Sequence, residues 1–105
     1  MVTASGAEQA AALARTLVAE RLAACVNIVG PIRSVYRWKD TIQDEQEHLM
    51  LIKTRASLLA RLKRRVGELH SYEVPEVIAL TLTDASEPYL KWMFEATAPK
   101  ARARR

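Results

Sequence analysis

The chain has 105 residues, of which 50% are hydrophobic and 27% charged, and its formal net charge is +4. This length allows one domain with a buried core and leaves no room for a second, and the composition excludes a disordered chain. No basic start with an apolar run and no stretch of 18 apolar residues occurs, so we expect neither a secreted nor a membrane protein. The single cysteine, Cys25, excludes a disulfide framework and multi-cysteine zinc motifs, which favours a cytoplasmic location.

The basic excess is local, because the run 61–65 and the last six residues hold much of it. We expect a single domain over residues 1–98 and a basic, flexible tail over residues 99–105. The tail has no aromatic residues between its basic ones, and nucleic-acid readers usually interleave the two. The sequence therefore predicts no nucleic-acid partner.

The first elements are a short strand and a helix. Met1 to Ala4 form the strand, and Ser5 with Glu8 matches a capping box at the start of a helix. Apolar residues then recur at helical spacing as far as Leu22. This pattern predicts a helix that packs one face on a core.

Two strands follow. Cys25 to Trp38 is rich in β-branched and aromatic residues, and Gly30-Pro31 predicts a bulge or bend within it. Lys39 to Glu45 is interpreted as a polar connection. Glu47 to Thr54 predicts a second strand that is apolar on both faces, which calls for a cover on each side of the sheet.

The second half alternates again between helix and strand. Ser57 to His70 predicts an amphipathic helix, and Ser71 to Glu76 a loop stiffened by proline. Val77 to Leu82 predicts a strand, after which Asp84 or Ser86 caps a short last helix.

This order predicts an α+β fold, a ferredoxin-like βαββαβ antiparallel sheet with its helices on one face, plus a short C-terminal helix. The other face of the sheet would be bare in a monomer. Bare apolar residues and exposed strand edges indicate self-association with closed symmetry.

Two residues are candidates for metal ligation. Cys25 lies at a helix-to-strand junction, where it is either a buried small hydrophobe or a reactive thiol. His70 precedes Glu73 and Glu76, and imidazole with carboxylates can bind a divalent ion. A histidine at a helix C-terminus can equally be a capping residue that bonds the free carbonyls.

Other side chains suggest a ligand pocket or an interface. Tyr36 and Trp38 close one end of the predicted hairpin and suit either packing against a neighbouring subunit or lining a pocket. Lys53 ends an apolar strand, where its amine needs a carboxylate such as Glu73 or an anionic ligand. No phosphate-binding glycine loop, catalytic triad order or paired catalytic carboxylates can be assembled, so we expect no enzyme.

Four segments together resemble one family, the CutA proteins. The segments are Glu20 to Ile28, Ser34 to Trp38, Ile52 to Thr54 and His70 to Glu76, and the similarity extends from about Ala7 to Phe94. The resemblance implies a cytoplasmic homotrimer with no enzymatic activity that is associated with tolerance to divalent cations, copper especially. It also implies kinship with PII-type trimers, which bind small ligands between subunits.

The family's recurrent residues fall on positions already singled out here. The resemblance implies His70, Glu73 and Cys25 as candidate ligands for Cu(II) or another divalent cation. It implies an intersubunit cleft, for metal or for a small anionic ligand in the alternative PII-like sensor, that gathers Tyr36, Trp38, Lys53, His70, Tyr72, Glu73 and Glu76. Where copper-binding relatives place a first-strand cysteine and a second histidine, this sequence has Val2 and Leu69.

Overall fold

The computed structural model describes residues 1–99, so the predicted tail lies outside the described residues apart from Pro99. The elements in chain order are β1 (Val2–Ala4), α1 (Ala7–Ala19), β2 (Cys25–Trp38), β3 (Thr41–Lys53), a single 3-10 turn (Ala56–Leu58), α2 (Leu59–Leu69) and α3 (Glu87–Ala96).

The sheet is antiparallel with the order β1-β3-β2, so β3 lies in its centre. Both α1 and α2 contribute to a core on one face of this sheet, which confirms the α+β class and the antiparallel arrangement. The core consists of aliphatic side chains and one methionine from four elements and the segment after α1: Val2, Ala4, Ala10, Leu13, Ala14, Leu17, Leu22, Ala23, Met50, Leu62 and Val66.

The start of α1 differs from the predicted capping box. Gly6 is the N-cap residue and has no side chain to cap the helix. The backbone N–H and the hydroxyl of Ser5 both donate to Gln9 Oε1, at 2.9 and 3.0 Å. Glu8 forms no cap bond and remains in the first turn, where its charge suits the positive end of the helix dipole.

The end of α1 explains why the apolar pattern outlasts the helix. Arg21 has a φ of 61°, in the left-handed region, and its N–H donates to the Val18 carbonyl. The Leu22 N–H donates back to the Leu17 carbonyl at 3.0 Å. This pair of bonds is a Schellman motif, in which Leu22 packs over the last turn without being helical.

β2 and β3 form one long hairpin, and the predicted polar connection from Lys39 to Glu45 is wrong. Only Lys39 and Asp40 lie in the turn, both with positive φ (50° and 63°), as a two-residue type I′ turn requires. Most of the strand residues after them are polar, and this part of the hairpin is exposed. Arg33 holds it together by donating two hydrogen bonds to Asp44, at 2.8 and 2.7 Å.

The bulge predicted at Gly30-Pro31 is confirmed. Val29 pairs with Leu49 and Ile32 with Glu47, so two residues of β2 oppose the single residue His48. The bulge brings the backbone of Gly30 against the imidazole of His48, and only a residue without a Cβ fits there.

Gly30→Ala should lower the free energy of unfolding by about 2 kcal/mol, because overpacking forces neighbours out of place. An added Cβ would lie 2.7 Å from Cγ and 2.9 Å from Nε2 of His48. His48→Ala should rescue most of this loss in the double variant. Urea unfolding of the four proteins at equal concentration measures the coupling, and simple additivity of the two changes would contradict this contact.

The strand predicted over Val77 to Leu82 is reduced to one bridge. Val77 pairs with Val2, and the Ile78 N–H donates to the Met1 carbonyl at 3.0 Å. The pairing ends there because Met1, which bonds Ile78, is the first residue of the chain as given, so residues after Ile78 have no β1 residue opposite them. In the described chain, residues 79–86 belong to no strand or helix.

The molecule is elongated, with extents of 56 × 32 × 22 Å. Its radius of gyration is 15.3 Å, against about 13 Å for a compact domain of this size. Large apolar side chains remain exposed on the hairpin, on the segment that follows Val77 and on α3. They include Val35, Tyr36, Trp38, Ile42, Ile78, Leu80, Leu82, Tyr89, Trp92 and Phe94.

Candidate functional site

A cleft of about 680 Å³ lies on the sheet face that points away from the helices. Strand alternation and register place Thr3, Glu47, Ser34 and Tyr36 on this face. The loop after α2 forms its other wall. The lining residues are Thr3, Ser34, Val35, Tyr36, Trp38, Glu47, Ser71, Tyr72, Glu73, Val74 and Glu76.

His70 fastens this loop to the sheet. It follows α2 directly, is only 8% exposed, and its backbone N–H donates to the Val66 carbonyl. Nε2 lies 2.7 Å from the Thr3 carbonyl and donates to it, and Nδ1 accepts the Tyr72 N–H at 3.0 Å. Both ring nitrogens are therefore used within the chain, as in a neutral imidazole.

Tyr72 connects the loop to β3. Its hydroxyl donates to Glu47 Oε2 at 2.7 Å, and its ring centre lies 4.6 Å from that of His70. Burial, and next the hydrogen bond to Glu47, raise the pKa of Tyr72 well above its ordinary value. The hydroxyl therefore stays protonated and is a fixed donor to a carboxylate that is only 4% exposed.

Tyr36 and Trp38 form the aromatic wall on β2. Tyr36 donates to Glu45 Oε1 at 3.1 Å, and partial desolvation, followed by this bond, raises the pKa of its hydroxyl. The ammonium of Lys39 lies 5.7 Å from the ring centre of Trp38 and 3.8 Å from Glu73 Oε2. Glu73 is thus paired with Lys39 and not with Lys53, the partner that the sequence suggested.

Cys25 and Lys53 lie at the opposite end of the hairpin. They face each other across β2 and β3, and Cys25 Sγ is 3.9 Å from Asn27 Oδ1. Trp38 lies thirteen residues after Cys25 along β2, which corresponds to roughly 40 Å. The structure therefore brings Tyr36, Trp38, Tyr72, Glu73 and Glu76 together around the cleft with His70 beneath, and it leaves Cys25 and Lys53 outside.

The three predicted metal ligands do not meet within one chain. Cys25 lies opposite Lys53 and Thr3 opposite Leu49, so the thiol and His70 are separated by about 13 Å along β3 alone. Residues 1–99 contain no group of three histidine, cysteine, aspartate or glutamate side chains that could hold a metal ion. With both His70 nitrogens occupied, these residues of a single chain do not fit a divalent cation as they stand.

Glu47 is the site residue that sequence reasoning missed. In the sequence, Glu47 is only the first residue of the predicted strand from Glu47 to Thr54, next to the polar residue His48. A signal was available, because every second side chain of a strand lies on the same face. Glu47 therefore shares its face with the apolar residues Leu49 and Leu51. A carboxylate in line with buried apolar side chains is buried with them and needs a hydrogen-bond donor, which Tyr72 provides.

No helix within residues 1–99 combines the length and the apolar character needed to cross a membrane.

The fold and the cleft define a small α+β protein with an antiparallel sheet and a ligand-sized, aromatic and acidic depression on its open face. A sequence model of the family described as CutA1 divalent ion tolerance protein matches residues 1–96. The chain belongs to this family.

Individual relatives agree with this assignment. The divalent-cation tolerance protein CutA of Thermus thermophilus is 44% identical over 97 residues, which are 92% of this chain and 94% of that protein. The chloroplastic protein CutA of Arabidopsis thaliana is 49% identical over 96 residues, 91% of this chain, but the chain spans only 53% of its length.

Solved structures agree equally well. The Thermus thermophilus structure has a TM-score of 0.89 at 44% identity and covers 92% of this chain and 94% of its own. CutA1 from Oryza sativa has a TM-score of 0.90, also at 44% identity, over 94% of this chain and 91% of its own. The periplasmic divalent cation tolerance protein CutA from Archaeoglobus fulgidus has a TM-score of 0.89 at 34% identity, over 92% and 94%.

Proposed function

We propose that this chain acts as a non-enzymatic, cytoplasmic homotrimer in tolerance to divalent cations, copper first among them. The main observation in support of the trimer is the segment after Val77, whose apolar side chains are exposed in the described chain. Leu80 and Leu82 are each 68% exposed and Ile78 is 47% exposed. Burying a large apolar side chain contributes about 1.5 to 3 kcal/mol of favourable free energy, which these exposed side chains do not provide in a single chain. A neighbouring copy that covers them would recover this energy and close the assembly.

The metal site, in this proposal, is completed between subunits. His70, Glu73 and Cys25 are the ligand candidates, and Cys25 lies too far from His70 in one chain for both to bind the same ion. Coordination by His70 would also require one of its two hydrogen bonds to backbone to open. Membership of the divalent ion tolerance family supports the metal role. The distance between Cys25 and His70 in one chain favours a site to which more than one subunit contributes ligands.

Copper titration of the intact assembly, followed by electron paramagnetic resonance, tests this role. The chain contains two histidines, His48 and His70, so nitrogen coupling to Cu(II) has two possible sources. We expect coupling that survives in His48→Gln, and weaker binding in Cys25→Ser and Glu73→Gln. A spectrum indistinguishable from copper in buffer, or coupling that depends on His48 alone, would contradict the proposed ligands.

A PII-like sensor that binds a small anion between subunits is the second candidate. Lys53 favours it, because this half-buried ammonium forms no ion pair with any residue of the described chain. ATP and citrate are suitable probes for calorimetry. Saturable binding that is lost in Lys53→Ala would support the sensor function, whereas the absence of binding of either anion would contradict it.

A further inference from the structure

A basic surface of the described chain lies on α2. Arg61, Lys63 and Arg64 are exposed, and none of them forms an ion pair with a described residue. The fourth cation, Arg65, is already paired with Glu20 at 2.8 Å. We call the three unpaired side chains the basic face of α2. Because α2 packs on the helix side of the sheet, this face lies opposite the open side where we expect neighbouring copies.

The energetics of the helix alone would place these cations elsewhere. Arg61 is in the first turn of α2, where a positive charge opposes the helix dipole, and the last turn, where it would be favourable, has no basic residue. Arg64 and Arg65 follow Arg61 at the third and fourth positions, so the three guanidinium groups are neighbours on the helix surface and repel one another. Glu20 and Glu68 relieve only Arg65. This arrangement lowers the stability of α2, and such a local conflict is typical of a functional site.

The end of α3 adds to the basic region. Arg21 donates to the Ala96 carbonyl at 3.5 Å, so the last turn of α3 lies beside the end of α1. The ion pair between Glu20 and Arg65 joins that same end of α1 to α2. Beyond Pro99 the sequence continues with four basic residues and no acidic one: Lys100, Arg102, Arg104 and Arg105. Further positive charge therefore follows in the sequence from a point near α2.

The residue types indicate which polyanion fits this surface. Arginine predominates, and a guanidinium can donate two parallel hydrogen bonds to one phosphate group. Neither α1 nor α2 contains an aromatic residue on which a nucleic-acid base could stack. The apolar side of α2 faces the core through Leu62 and Val66, so it is not available to enter a lipid layer. A chain of phosphates without bases or lipid tails matches all three properties.

We infer that the basic face of α2 binds linear polyphosphate. Arg61 and Arg64 are about one helical turn apart and donate to oxygens of phosphate groups along the chain, and Lys63 adds a further positive charge. Binding releases the counterions of the polyanion, so the affinity should fall as salt is added. This site is separate from the metal role and from the anion site at Lys53.

Calorimetry of the unaltered full chain with long-chain polyphosphate tests the inference. Single-stranded RNA, polyglutamate and phosphatidylserine vesicles, at the same concentration of negative charge, are the competing polyanions. We expect saturable binding of polyphosphate that weakens with salt, and at least about tenfold weaker binding of the other three. The absence of polyphosphate binding at physiological ionic strength would overturn the inference, and so would equal or tighter binding of any competitor.

Arg61→Gln combined with Arg64→Gln removes two cations that have no ion-pair partner in the described chain. This double variant should bind polyphosphate about tenfold or more weakly and with a smaller dependence on salt, because fewer counterions are released. In urea it should be at least as stable as the unaltered protein, since α2 loses a repulsion. Arg15→Gln with Lys91→Gln, on α1 and α3, removes the same charge and is the matched control. An equal loss of binding in the control, or unchanged binding in the α2 variant, would contradict the site.

Discussion

Replacing Leu80 and Leu82 together by aspartate should convert the proposed trimer into single chains. Both side chains are 68% exposed in the described chain and stand two residues apart in a segment with no strand partner of its own. If a neighbouring copy covers them, six buried leucines per trimer become six charges. Desolvating even one unpaired carboxylate opposes association by several kcal/mol, so the interface should fail at micromolar protein concentration.

The matched control places the same charges on the same segment. Thr81 and Thr83 alternate with the two leucines and are also exposed. Thr81→Asp with Thr83→Asp adds two carboxylates but removes no apolar cover, so it should leave the mass of the assembly unchanged. Light scattering after gel filtration measures both variants. An unchanged mass for the leucine variant would show that this row does not lie in the interface.

His70→Ala should have the largest effect of any single change in the site. The imidazole bridges the Thr3 carbonyl and the Tyr72 N–H, and both backbone groups lose their partner when it is removed. Each buried polar group left unpaired destabilises by about 1 to 3 kcal/mol, so we expect a loss of about 3 kcal/mol and a detached loop. Urea unfolding measures the loss, and the loosened Tyr72 would change its fluorescence.

Ser71→Ala is the control for His70. The Ser71 hydroxyl accepts one hydrogen bond from Gln9 Nε2, at 2.6 Å, on the surface. Its removal should change the free energy of unfolding by no more than about 0.5 kcal/mol. A His70→Ala protein as stable as Ser71→Ala would mean that the imidazole does not hold the loop.

Local rules of helix and strand formation are sufficient to predict most of the elements. The spacing of Ala10, Leu13 and Leu17 predicts α1, and that of Leu62 and Val66 predicts α2, because a helix that packs on a sheet repeats its apolar side chains every turn. The bulge is predictable because proline lacks the N–H that a ladder requires. The capping box is wrong because a glutamine four residues after Ser5 provides the same oxygen.

The two wrong strand assignments share one physical cause, which is that polarity and apolarity indicate exposure but do not determine whether a segment has a pairing partner. Residues 41–45 resemble a connection because most of them are polar, yet they pair with β2 in a hairpin that extends into solvent. Val77 to Leu82 resemble a strand because they are apolar, yet after Val77 the chain itself provides no edge for them. In the proposed trimer, a neighbour covers that segment.

The candidate site is predictable only in part, for similar reasons. The aromatic residues Tyr36, Trp38 and Tyr72 do line one cleft, as their clustering around the hairpin end and the loop suggests. Cys25 and Lys53 do not, since β2 is continuous over 14 residues and keeps its two ends far apart. Strand parity gives the face of Glu47, but its contact with Tyr72 requires the fold, because the two residues are 25 positions apart in the sequence.

Sedimentation equilibrium of the unaltered protein tests the central claim most directly. One chain has a mass of 11.8 kDa, and the proposed homotrimer predicts a single species of three times that mass across the concentrations tested. The proposed assembly would cover the exposed leucines and would account for the exposed aromatic residues of α3. A species of 11.8 kDa that does not change with concentration would contradict it.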